Sequence, residues 1–557
     1  MSPETRACVN CKGEFVIEPE DFVFYERMKV PAPHVCPDCR FKMRAVWRNE
    51  MSLYTGVQCG LCDKSIISMY NPKSGFTVYC NSCYRGDGWD SREYSADYNF
   101  SRPFFDQLKD LIKKVPKNSL YSTTGVGQSV NSDYTNCGGG LKNCSLCFNS
   151  SILEDSMYTR GATYSSNLID SYFCKKVENC YECINVHNSV GVRHGQNSVN
   201  CMDCTFIENC SNLNNCIGCV NLRNKSFHIL NKEYSKEEYF EILNKINSSY
   251  VEFVKFKEEF EKLRLDHPHR ANENIKIQDC IGDYISESKN VHYSFEIING
   301  EDSKWNFSSR EMKDCYGTVG YGIKSELLLE CTSTGYVSRG IGCWACEIGS
   351  DLEYSISCFP NNKNLIGCDS LKNSQYCILN KQYSKDEYEK IRDHIINELK
   401  EKNLYGLMMP PDLAPFAYNE TIAQDNMPMS RVDALSLGFR WEDDIQITKG
   451  KETLTPESIP DNIDDVSDDI KGEVLRCVEC TRNYKITEAE LLFYRKMKLP
   501  IPRYCFYCRH KDRLNRRGPY KFWNRKCDFC GDGITTTYSP DRPEKVYCEK
   551  CYQKEVL

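Results

Sequence analysis

Eight Cys-x-x-Cys pairs near the two ends of the chain are the residues whose type and spacing most directly imply chemistry. Four pairs lie between residues 8 and 83, and four lie between residues 477 and 551. Two thiolates separated by two residues can chelate one ion from a tight turn, and two such turns complete a tetrahedral shell of four sulfurs. Soft thiolate ligands favour zinc or iron–sulfur chemistry, and even spacing without a ferredoxin-type cysteine cluster favours zinc.

The sequence therefore predicts about four structural Zn²⁺ ions as the cofactors of this chain. Because cysteine fills all four positions of each shell, no position remains for an activated water, and each module is expected to unfold without metal. The predicted metal ligands are Cys8, Cys11, Cys36, Cys39, Cys59, Cys62, Cys80, Cys83, Cys477, Cys480, Cys505, Cys508, Cys527, Cys530, Cys548 and Cys551.

Two pairing schemes are open within each group of four pairs. In the sequential scheme the first two pairs bind one ion and the last two bind another. In a cross-brace scheme the first pair joins the third and the second joins the fourth. Residues 65–80, SIISMYNPKSGFTVYC, favour the sequential scheme, because a turn between two apolar strands predicts a hairpin that brings the third pair to the fourth.

The two ends of the chain are copies of one module. The gaps between consecutive pairs are 25, 20 and 18 positions in the first copy and 25, 19 and 18 in the second. The flanking residues agree as well, with FYERMKVPAPHVC in one copy and FYRKMKLPIPRYC in the other. This agreement indicates an internal duplication.

The first copy also carries the marks of a known family. After the knuckle of residues 8–11 come Glu-Phe, then Phe-Tyr before a basic segment, then Cys-Pro-Asp-Cys-Arg. Residues 8–40 thereby resemble the bacterial family called the probable zinc-ribbon domain, which implies a treble-clef-like unit. Residues 477–509 resemble it more weakly, with Asn-Tyr in place of Gly-Glu-Phe and Phe-Tyr in place of Pro-Asp. Neither departure touches a predicted ligand.

A second resemblance covers most of the chain. The stretch IISMYNPKSGFTVYC, the segment GWDSREYSADYNFSRPFFDQLKDLIKKVP and the later ILNKQYSKDEY are similar to a group of cysteine-rich bacterial proteins that often carry a CaiB/BaiF family label. That label implies a CoA-transferase, which requires an acyl-accepting Asp and a nucleotide pocket in an α/β domain. Since the sequence shows no βαβ alternation, a CoA-transferase-type enzyme is the remote alternative.

Length and composition set the remaining bounds. The 557 residues suggest about three or four domains. The start, MSPETRACVN, has no apolar core of a secretory signal, and no run of about 18 apolar residues predicts a membrane span. The 35 cysteines of such a chain are expected to be reduced, so we expect a cytoplasmic protein without a membrane partner.

The middle of the chain contains a second duplication. Residues 214–240 and 363–389 both end in Ile-Leu-Asn-Lys-x-Tyr-Ser-Lys-(Glu/Asp)-Glu-Tyr. The Ser and the Glu three residues later predict a capping box that opens a helix in each copy. The helices are predicted to end at about residue 263 and about residue 402.

Long polar stretches rich in Asn, Ser, Gly and Cys precede each of these helices, at 120–230 and 275–378. Short strands broken by Asn or Gly at positive φ, with Cys stacked inward and Asn laddered at the corners, would form a parallel β-helix. The alternative for these cysteines is further metal binding or thiol redox chemistry. Metal binding or redox chemistry would use the five Cys-x-x-Cys pairs in this region. If side chains alternate with a period of two, some of these cysteines should point outward. The pairs are Cys144/Cys147, Cys180/Cys183, Cys201/Cys204, Cys216/Cys219 and Cys343/Cys346.

We therefore expect a mainly β chain with some α structure. Two treble-clef or zinc-ribbon modules should flank a duplicated, Cys- and Asn-rich β-solenoid with capping helices. The expected boundaries are 1–90 for a two-zinc module, 91–119 for a connector with a short amphipathic helix, 120–270 and 271–405 for two solenoid repeats with their helices, 406–471 for a Pro- and Met-rich and then acidic linker, and 472–557 for the second two-zinc module. The acidic part, 439–470, is expected to be a solvated tether.

Charge distinguishes the second module from the first. Residues 472–557 carry 19 Lys and Arg against 11 Asp and Glu, whereas residues 1–86 carry 11 against 9. Cations interleaved with aromatic residues can neutralise phosphate and stack on unpaired bases. The candidate contacts to RNA or single-stranded nucleic acid are Arg503, Arg509, Lys511, Arg513, Arg516, Arg517, Lys521, Trp523, Arg525 and Lys526.

The sequence thus favours a non-catalytic zinc protein that binds nucleic acid through its basic C-terminal module. The alternative is a protein–protein interaction scaffold built on the solenoid, with zinc modules at both ends. In either case the cationic residues have a simpler explanation, as solvated faces of small helices. Whether the chain is an enzyme is left open, with no nucleotide or hydrolase motif to favour it.

Overall fold

The computed structural model describes residues 2–122, 126–247, 249–445 and 447–556. The chain is mainly β, with 33% of its residues in strands and 26% in helices. It divides into two compact units. The first unit comprises Met1–Leu120, Asn272–Asp444 and Tyr520–Phe522, and the second comprises Tyr121–Ala271, Ile445–Pro519 and Trp523–Leu557. Each unit therefore combines one terminal cysteine module with one of the two polar stretches.

The second unit contains a ten-stranded sheet, called the 139–233 sheet below. Its strands are parallel except for the final pair, which is antiparallel. Each parallel partner lies 12 residues further along the chain, as in Ser151 with Thr163 and Thr163 with Lys175. The strands are Gly139–Lys142, Ser151–Glu154, Thr163–Ile169, Lys175–Tyr181, His187–Val190, Arg193–Gln196, Thr205–Glu208, Asn214–Val220, Ser226–Ile229 and Lys232–Glu233.

The first unit contains a second ten-stranded sheet of the same kind, called the 278–382 sheet. Its register is also 12 residues over most of its length, with steps of 11 and 13 at a few pairs such as Gln278 with Lys289 and Gly349 with Asn362. The strands are Gln278–Ser286, Lys289–Lys304, Phe307–Lys313, Tyr316–Tyr321, Ser325–Thr332, Gly335–Ile341, Glu347–Glu353, Asn362–Ile366, Gln375–Ile378 and Lys381–Gln382.

A positive φ at every third residue sets the geometry of both sheets. From Gly140 to Leu230 each third position has φ between about 47° and 72°. That conformation costs about 1–2 kcal/mol for residues with a β-carbon, least for Asn and Asp, and little for Gly. This preference explains the many Asn residues at these positions and agrees with the predicted Asn and Gly corners.

The inward-facing side chains of each sheet are small and apolar, and they stack on one another from strand to strand. Cysteine, leucine, isoleucine and valine alternate there, for example Cys180, Val192 and Cys204 at steps of 12. Serine hydroxyls and asparagine amides bond to the equivalent position one repeat away, as in Asn200 to Asn212 at 3.1 Å. These ladders satisfy buried and corner polar groups, which would otherwise be costly.

Helices follow each sheet at its C-terminal end. Both predicted capping boxes are present, at Ser235 with Glu238 and at Ser384 with Glu387. The second helix, Lys385–Glu401, ends as predicted. The first is two helices instead, Lys236–Asn247 and Tyr250–Asp266, because the Ser249 hydroxyl caps a new helix. None of the described helices is long and apolar enough to cross a membrane.

The terminal modules share one order of elements. The N-terminal module has strands Glu4–Ala7, Glu14–Ile17, Tyr54–Gln58, Ser65–Ser68 and Val78–Tyr79, with helices Pro19–Met28, Pro37–Ala45 and Asn81–Arg85. The C-terminal module has strands Leu475–Arg476, Asn483–Tyr484, Trp523–Lys526, Gly533–Thr536 and Lys545–Tyr547, with helices Glu488–Lys496, Phe506–Arg517 and Glu549–Val556. The predicted amphipathic helix of the connector is Phe104–Lys114.

The acidic segment of the second unit differs from the predicted tether. Ile459, Ile463, Val466 and Ile470 are buried in one cluster with apolar residues of the C-terminal module. Their spacing of four, three and four residues places them on one side of the segment, while its acidic groups pair outward, as in Asp464 with Lys498 at 2.7 Å. Residues 459–470 are therefore packed, and the expectation of a solvated tether is wrong for this part of the segment.

Candidate metal centres

Sixteen cysteines converge into four groups whose ligand atoms all lie within 4.8 Å of one another. Each group joins one Cys-x-x-Cys pair to the next pair along the chain, which is the sequential scheme rather than the cross-brace scheme. The groups are Cys8, Cys11, Cys36 and Cys39; Cys59, Cys62, Cys80 and Cys83; Cys477, Cys480, Cys505 and Cys508; and Cys527, Cys530, Cys548 and Cys551.

The same local structure builds all four groups. The first pair of each group lies in the turn of a two-stranded antiparallel hairpin. The second pair starts a helix, and Cys36, Cys80 and Cys505 are the N-cap residues of theirs. A helix N-terminus stabilises negative charge, so this position favours the thiolate that a metal requires.

Backbone N–H groups support the sulfurs in the same way at each site. The N–H of the third cysteine donates to the first cysteine's Sγ at 3.3 Å in Cys36 to Cys8 and at 3.2 Å in Cys548 to Cys527. The contact with Cys39 lowers the pKa of Cys36 to about 5. Burial raises the pKa of Cys59, but backbone N–H groups outweigh that effect and lower it to about 6.

The spacing between sulfurs fits one ion in each group. The Sγ atoms of the second and third ligands are 3.7 Å apart in the first group, 4.0 Å in the second, 3.5 Å in the third and 3.9 Å in the fourth. A tetrahedron with metal–sulfur bonds of about 2.3 Å has edges of about 3.8 Å. A disulfide would require about 2.05 Å. The four groups are thus arranged to hold a metal ion each, and all 35 cysteines are free of disulfides.

The 19 central cysteines form no such group among the residues that the structure describes. Both members of all five central Cys-x-x-Cys pairs are buried, so the expected outward turn of some of them is wrong. The reason is the period of three, since every third residue points inward and a spacing of three keeps both cysteines inside. Each thiol faces carbonyl oxygens, as in Cys346 Sγ to Ser355 O at 3.2 Å.

Four of the ten candidate nucleic-acid contacts are buried in the second unit. Arg509 lies 2.8 Å from Asp170, and Arg513 lies 3.2 Å from Asp170 and 2.9 Å from Glu182. Arg517 reaches the hydroxyl of Tyr172. Arg503 donates to the carbonyls of residues 459 and 460 at 2.9 and 3.0 Å. These four guanidinium groups are engaged inside the protein and do not present their charge to solvent.

The other six candidates are at least partly accessible. Arg516 pairs with Glu182 at 3.0 Å and Arg525 with Asp528 at 2.9 Å. Trp523 is half-buried, whereas Lys511, Lys521 and Lys526 are exposed. The sequence pattern could not separate these groups, because alternation of cations and aromatics looks the same on a solvated helix and on one packed against a sheet.

A matching set of buried arginines occurs in the first unit and was missed by the sequence reasoning. Arg40 lies 2.7 Å from Glu330, and Arg44 pairs with the other oxygen of that carboxylate. All three side chains are at most 2% exposed. The signal that could have found them is positional, since Arg40 and Arg44 follow the last ligand of their site as Arg509 and Arg513 follow theirs.

In both units, then, the helix that begins at a metal site carries two arginines that meet acids of the sheet. We call these contacts the arginine clamps, defined by Arg40, Arg44 and Glu330 in the first unit and by Arg509, Arg513, Asp170 and Glu182 in the second. Burial raises the pKa of Glu182, while the charge of Arg513 opposes that rise.

Comparison with known proteins adds little to this geometry. No family model and no curated protein matches the chain. Among solved structures, one from Desulfovibrio desulfuricans G20, described as a candidate acetyltransferase, is 12% identical over 45% of this chain and 66% of that chain. Its TM-score is 0.11, so the likeness carries no argument about fold or activity.

Proposed function

We propose that the protein is a zinc-dependent interaction scaffold in which four Zn(Cys)₄ centres of the zinc-ribbon, treble-clef-like kind hold two modules against two β-solenoids. The 12-residue register and the inward cysteine stack support the solenoid, and the sulfur spacing supports closed tetrahedral zinc sites. A closed site with four protein ligands stabilises structure and leaves no position for a substrate.

The single observation that carries this proposal is the arginine clamp in each unit. The arginines that would make the zinc modules cationic form ion pairs with Glu330 in one unit and with Asp170 and Glu182 in the other. A buried arginine–carboxylate pair is specific and intolerant of losing one partner. The geometry therefore favours a structural role for the modules, in which they stabilise the fold, over a role in which their basic helix binds a phosphate backbone.

The test is metal analysis followed by proteolysis of the full-length protein. We expect about four zinc ions per chain in protein purified without chelator. Removal of zinc should release the modules and expose new cleavage sites in the Pro37–Ala45 and Phe506–Arg517 helices, because both begin at ligand cysteines. Protein that lacks zinc as isolated, yet resists protease in the same way, would exclude the proposal.

A second candidate function, binding of single-stranded nucleic acid, is favoured by a smaller surface in the second unit. Tyr504 and Tyr507, on either side of Cys505, are 40% and 41% exposed. The guanidinium of Arg482 lies 4.8 Å from the centre of the Tyr507 ring, and the exposed Lys511 is 3.8 Å from Glu479. Exposed aromatic faces beside cations can stack unpaired bases and contact their phosphates.

This second candidate is tested by the 260/280 absorbance ratio of the purified protein and by titration with a single-stranded RNA. Two or three phosphate contacts predict a plot of log affinity against log salt with a slope of about −2. Replacement of both Tyr504 and Tyr507 with Ala should weaken binding at least tenfold if bases stack there. An affinity that does not depend on salt concentration, or that is unchanged in the double variant, would contradict RNA binding at this surface.

A further inference from the structure

The first unit contains a groove beside its first metal site, and the ligand Cys39 is part of its lining. It has a volume of about 500 Å³, within the range of small-molecule sites. It is lined by the knuckle and the Pro37–Ala45 helix, with Val9 and Met43, and by residues that follow the Lys385–Glu401 helix, with Leu404, Leu407 and Phe439. We call it the Lys42 groove.

The walls of the Lys42 groove are apolar and fixed by backbone hydrogen bonds. Val9 N–H donates to His34 O at 3.0 Å, and Leu404 N–H donates to Leu399 O at 2.8 Å. Phe439 N–H donates to Ala434 O at 3.0 Å. Two apolar side chains of the rim remain accessible, Val9 at 54% and Leu437 at 36%. The groove is therefore a preformed apolar surface open to solvent.

Apart from the sulfur of the metal ligand Cys39, the charged side chains of the groove have one sign. Three basic side chains line it, His34, Lys42 and Lys402, and no acidic residue does so. Lys402 is already paired with Glu398 at 2.7 Å. Lys42 is half-buried and forms no ion pair within 4.0 Å among the described residues, although its charge acts on Asp38, one turn earlier on the same helix. A half-buried cation at an apolar wall favours an anion that brings apolar surface with it.

We infer that the Lys42 groove binds an amphiphilic carboxylate, with the carboxylate at the Lys42 ammonium group and the aliphatic chain along Val9, Leu404, Leu407 and Phe439. The charge pair fixes the orientation of the ligand, and the chain supplies most of the affinity through apolar burial. This site goes beyond the proposed scaffold function, since it binds a small molecule, whereas the metal centres and the clamps hold the fold together.

The matched copy of the module sharpens the inference. Lys42 corresponds to Lys511 in the C-terminal module, but the next residue there is Asp512 instead of Met43. Lys511 also faces Glu479 at 3.8 Å. The second module thus lacks the acid-free apolar wall at the equivalent lysine, and Lys511 serves as the control position.

The test uses full-length, zinc-loaded protein and isothermal titration with octanoate and decanoate below their micellar concentrations. We expect saturable binding of one molecule per chain. Decanoate should bind about sixteenfold more tightly than octanoate, since each of its two extra methylenes contributes about fourfold in affinity when buried. Replacement of the carboxylate by an alcohol, in 1-octanol, should weaken binding at least fivefold.

Variants then locate the site. Lys42→Gln should weaken octanoate binding at least fivefold and remove the preference for octanoate over 1-octanol, whereas Lys511→Gln should change neither. Leu437→Asp, at an exposed rim position, should also weaken binding by placing a negative charge there. Absence of binding by the wild type, equal binding of acid and alcohol, or an unchanged Lys42→Gln variant would overturn the inference. Zinc content, measured for every variant, separates this failure from a failure of the scaffold proposal.

Discussion

The Cys-x-x-Cys motif occurs in two different structural environments in this molecule. In the terminal modules four sulfurs converge within 4.8 Å, and backbone N–H groups point at them. In the two sheets the same spacing places both sulfurs in an apolar stack, where they donate to carbonyl oxygens. The backbone around the motif therefore differs between the two regions: N–H donors, which stabilise a thiolate, surround the terminal sulfurs, and carbonyl acceptors, which bond a thiol, surround the central ones.

Three cysteines illustrate how a neighbouring sulfur and burial act on the thiol pKa in the two regions, although the central cysteines are not uniform, since contacts with Cys204 and Cys219 lower the pKa of Cys216 to about 3. The contact with Cys505 lowers the pKa of Cys477 to about 4, in the third metal group. Burial raises the pKa of Cys210 in the 139–233 sheet and that of Cys315 in the 278–382 sheet, both to about 12. At neutral pH the first is ready to bind metal, and the other two are apolar packing groups.

The largest expected effect that separates the two regions is metal removal. A structural zinc site contributes on the order of 10 kcal/mol to the folding of small zinc peptides, so chelation should unfold the modules while leaving the sheets intact. A maleimide reagent with mass spectrometry measures the difference. The 16 terminal cysteines should become reactive on chelation, and the 17 buried central cysteines should remain protected until denaturant is added, whereas Cys137 and Cys280 are only half-buried.

Labelling of central cysteines at the same rate as terminal ones, in chelator alone, would contradict this division. Treatment with chelator followed by excess zinc provides the control, and it should restore protection of the terminal cysteines.

A pair of single substitutions should separate the regions more sharply. Cys36→Ser removes one ligand of the first group, so zinc content should fall from about four to about three ions, with a stability loss of several kcal/mol. Cys210→Ser should leave zinc content unchanged and cost about 1 kcal/mol. The reason is that Ser198, one repeat earlier, already occupies the equivalent position, with its hydroxyl bonded to the N–H of Cys210. Zinc analysis with urea denaturation measures both, and loss of zinc in Cys210→Ser would refute the comparison.

The clamp joins the two kinds of region within one unit. Glu330→Gln should leave Arg40 and Arg44 buried without a counter-charge and lower the free energy of unfolding by about 3–5 kcal/mol. Glu326→Gln is the matched control in the same strand, because its pair with Arg27 is exposed and should contribute less than about 1 kcal/mol. Equal effects of the two changes on urea denaturation would show that the clamp contributes no more than a surface pair.

The smallest expected effect is a pH dependence within the 139–233 sheet. Burial, with a smaller contribution from Lys175, lowers the pKa of His187 to about 4. Because the unfolded histidine titrates near 6.5, stability should fall as pH drops from about 6.5 to about 4, by about 3 kcal/mol. His187→Asn should flatten that part of the profile relative to wild type. Identical slopes for the two proteins would exclude His187 as the source.

Much of the candidate metal sites could be predicted from the sequence, because a knuckle and a helix start are local structures. The spacing within residues 8–40 already places two pairs of ligands at reachable distances, and the capping boxes at Ser235 and Ser384 define helix starts within four residues. The Asn and Gly corners were also predictable, since few other residues tolerate positive φ.

The period of three could not be predicted from the same residues. Tyr158, Phe173 and Phe206 adopt positive φ in the sheet although their side chains disfavour it. Stacking between repeats imposes that conformation, so period-2 reasoning placed some cysteines on the wrong face. The packing of Ile459 and Ile463 was missed for a related reason, because the acidic composition of their segment masked the apolar spacing.

The candidate ligands, the order of the elements and the caps could all be read from the sequence, because each depends on residues close together in the chain. Only the tertiary structure decided which module shares a unit with which sheet, and whether an arginine is a surface charge or a buried clamp. The N-terminal module lies with the 278–382 sheet and the C-terminal module with the 139–233 sheet. Contacts such as Arg44 with Glu330 span 286 positions, and the burial that decides the role of a charge depends on such distant neighbours.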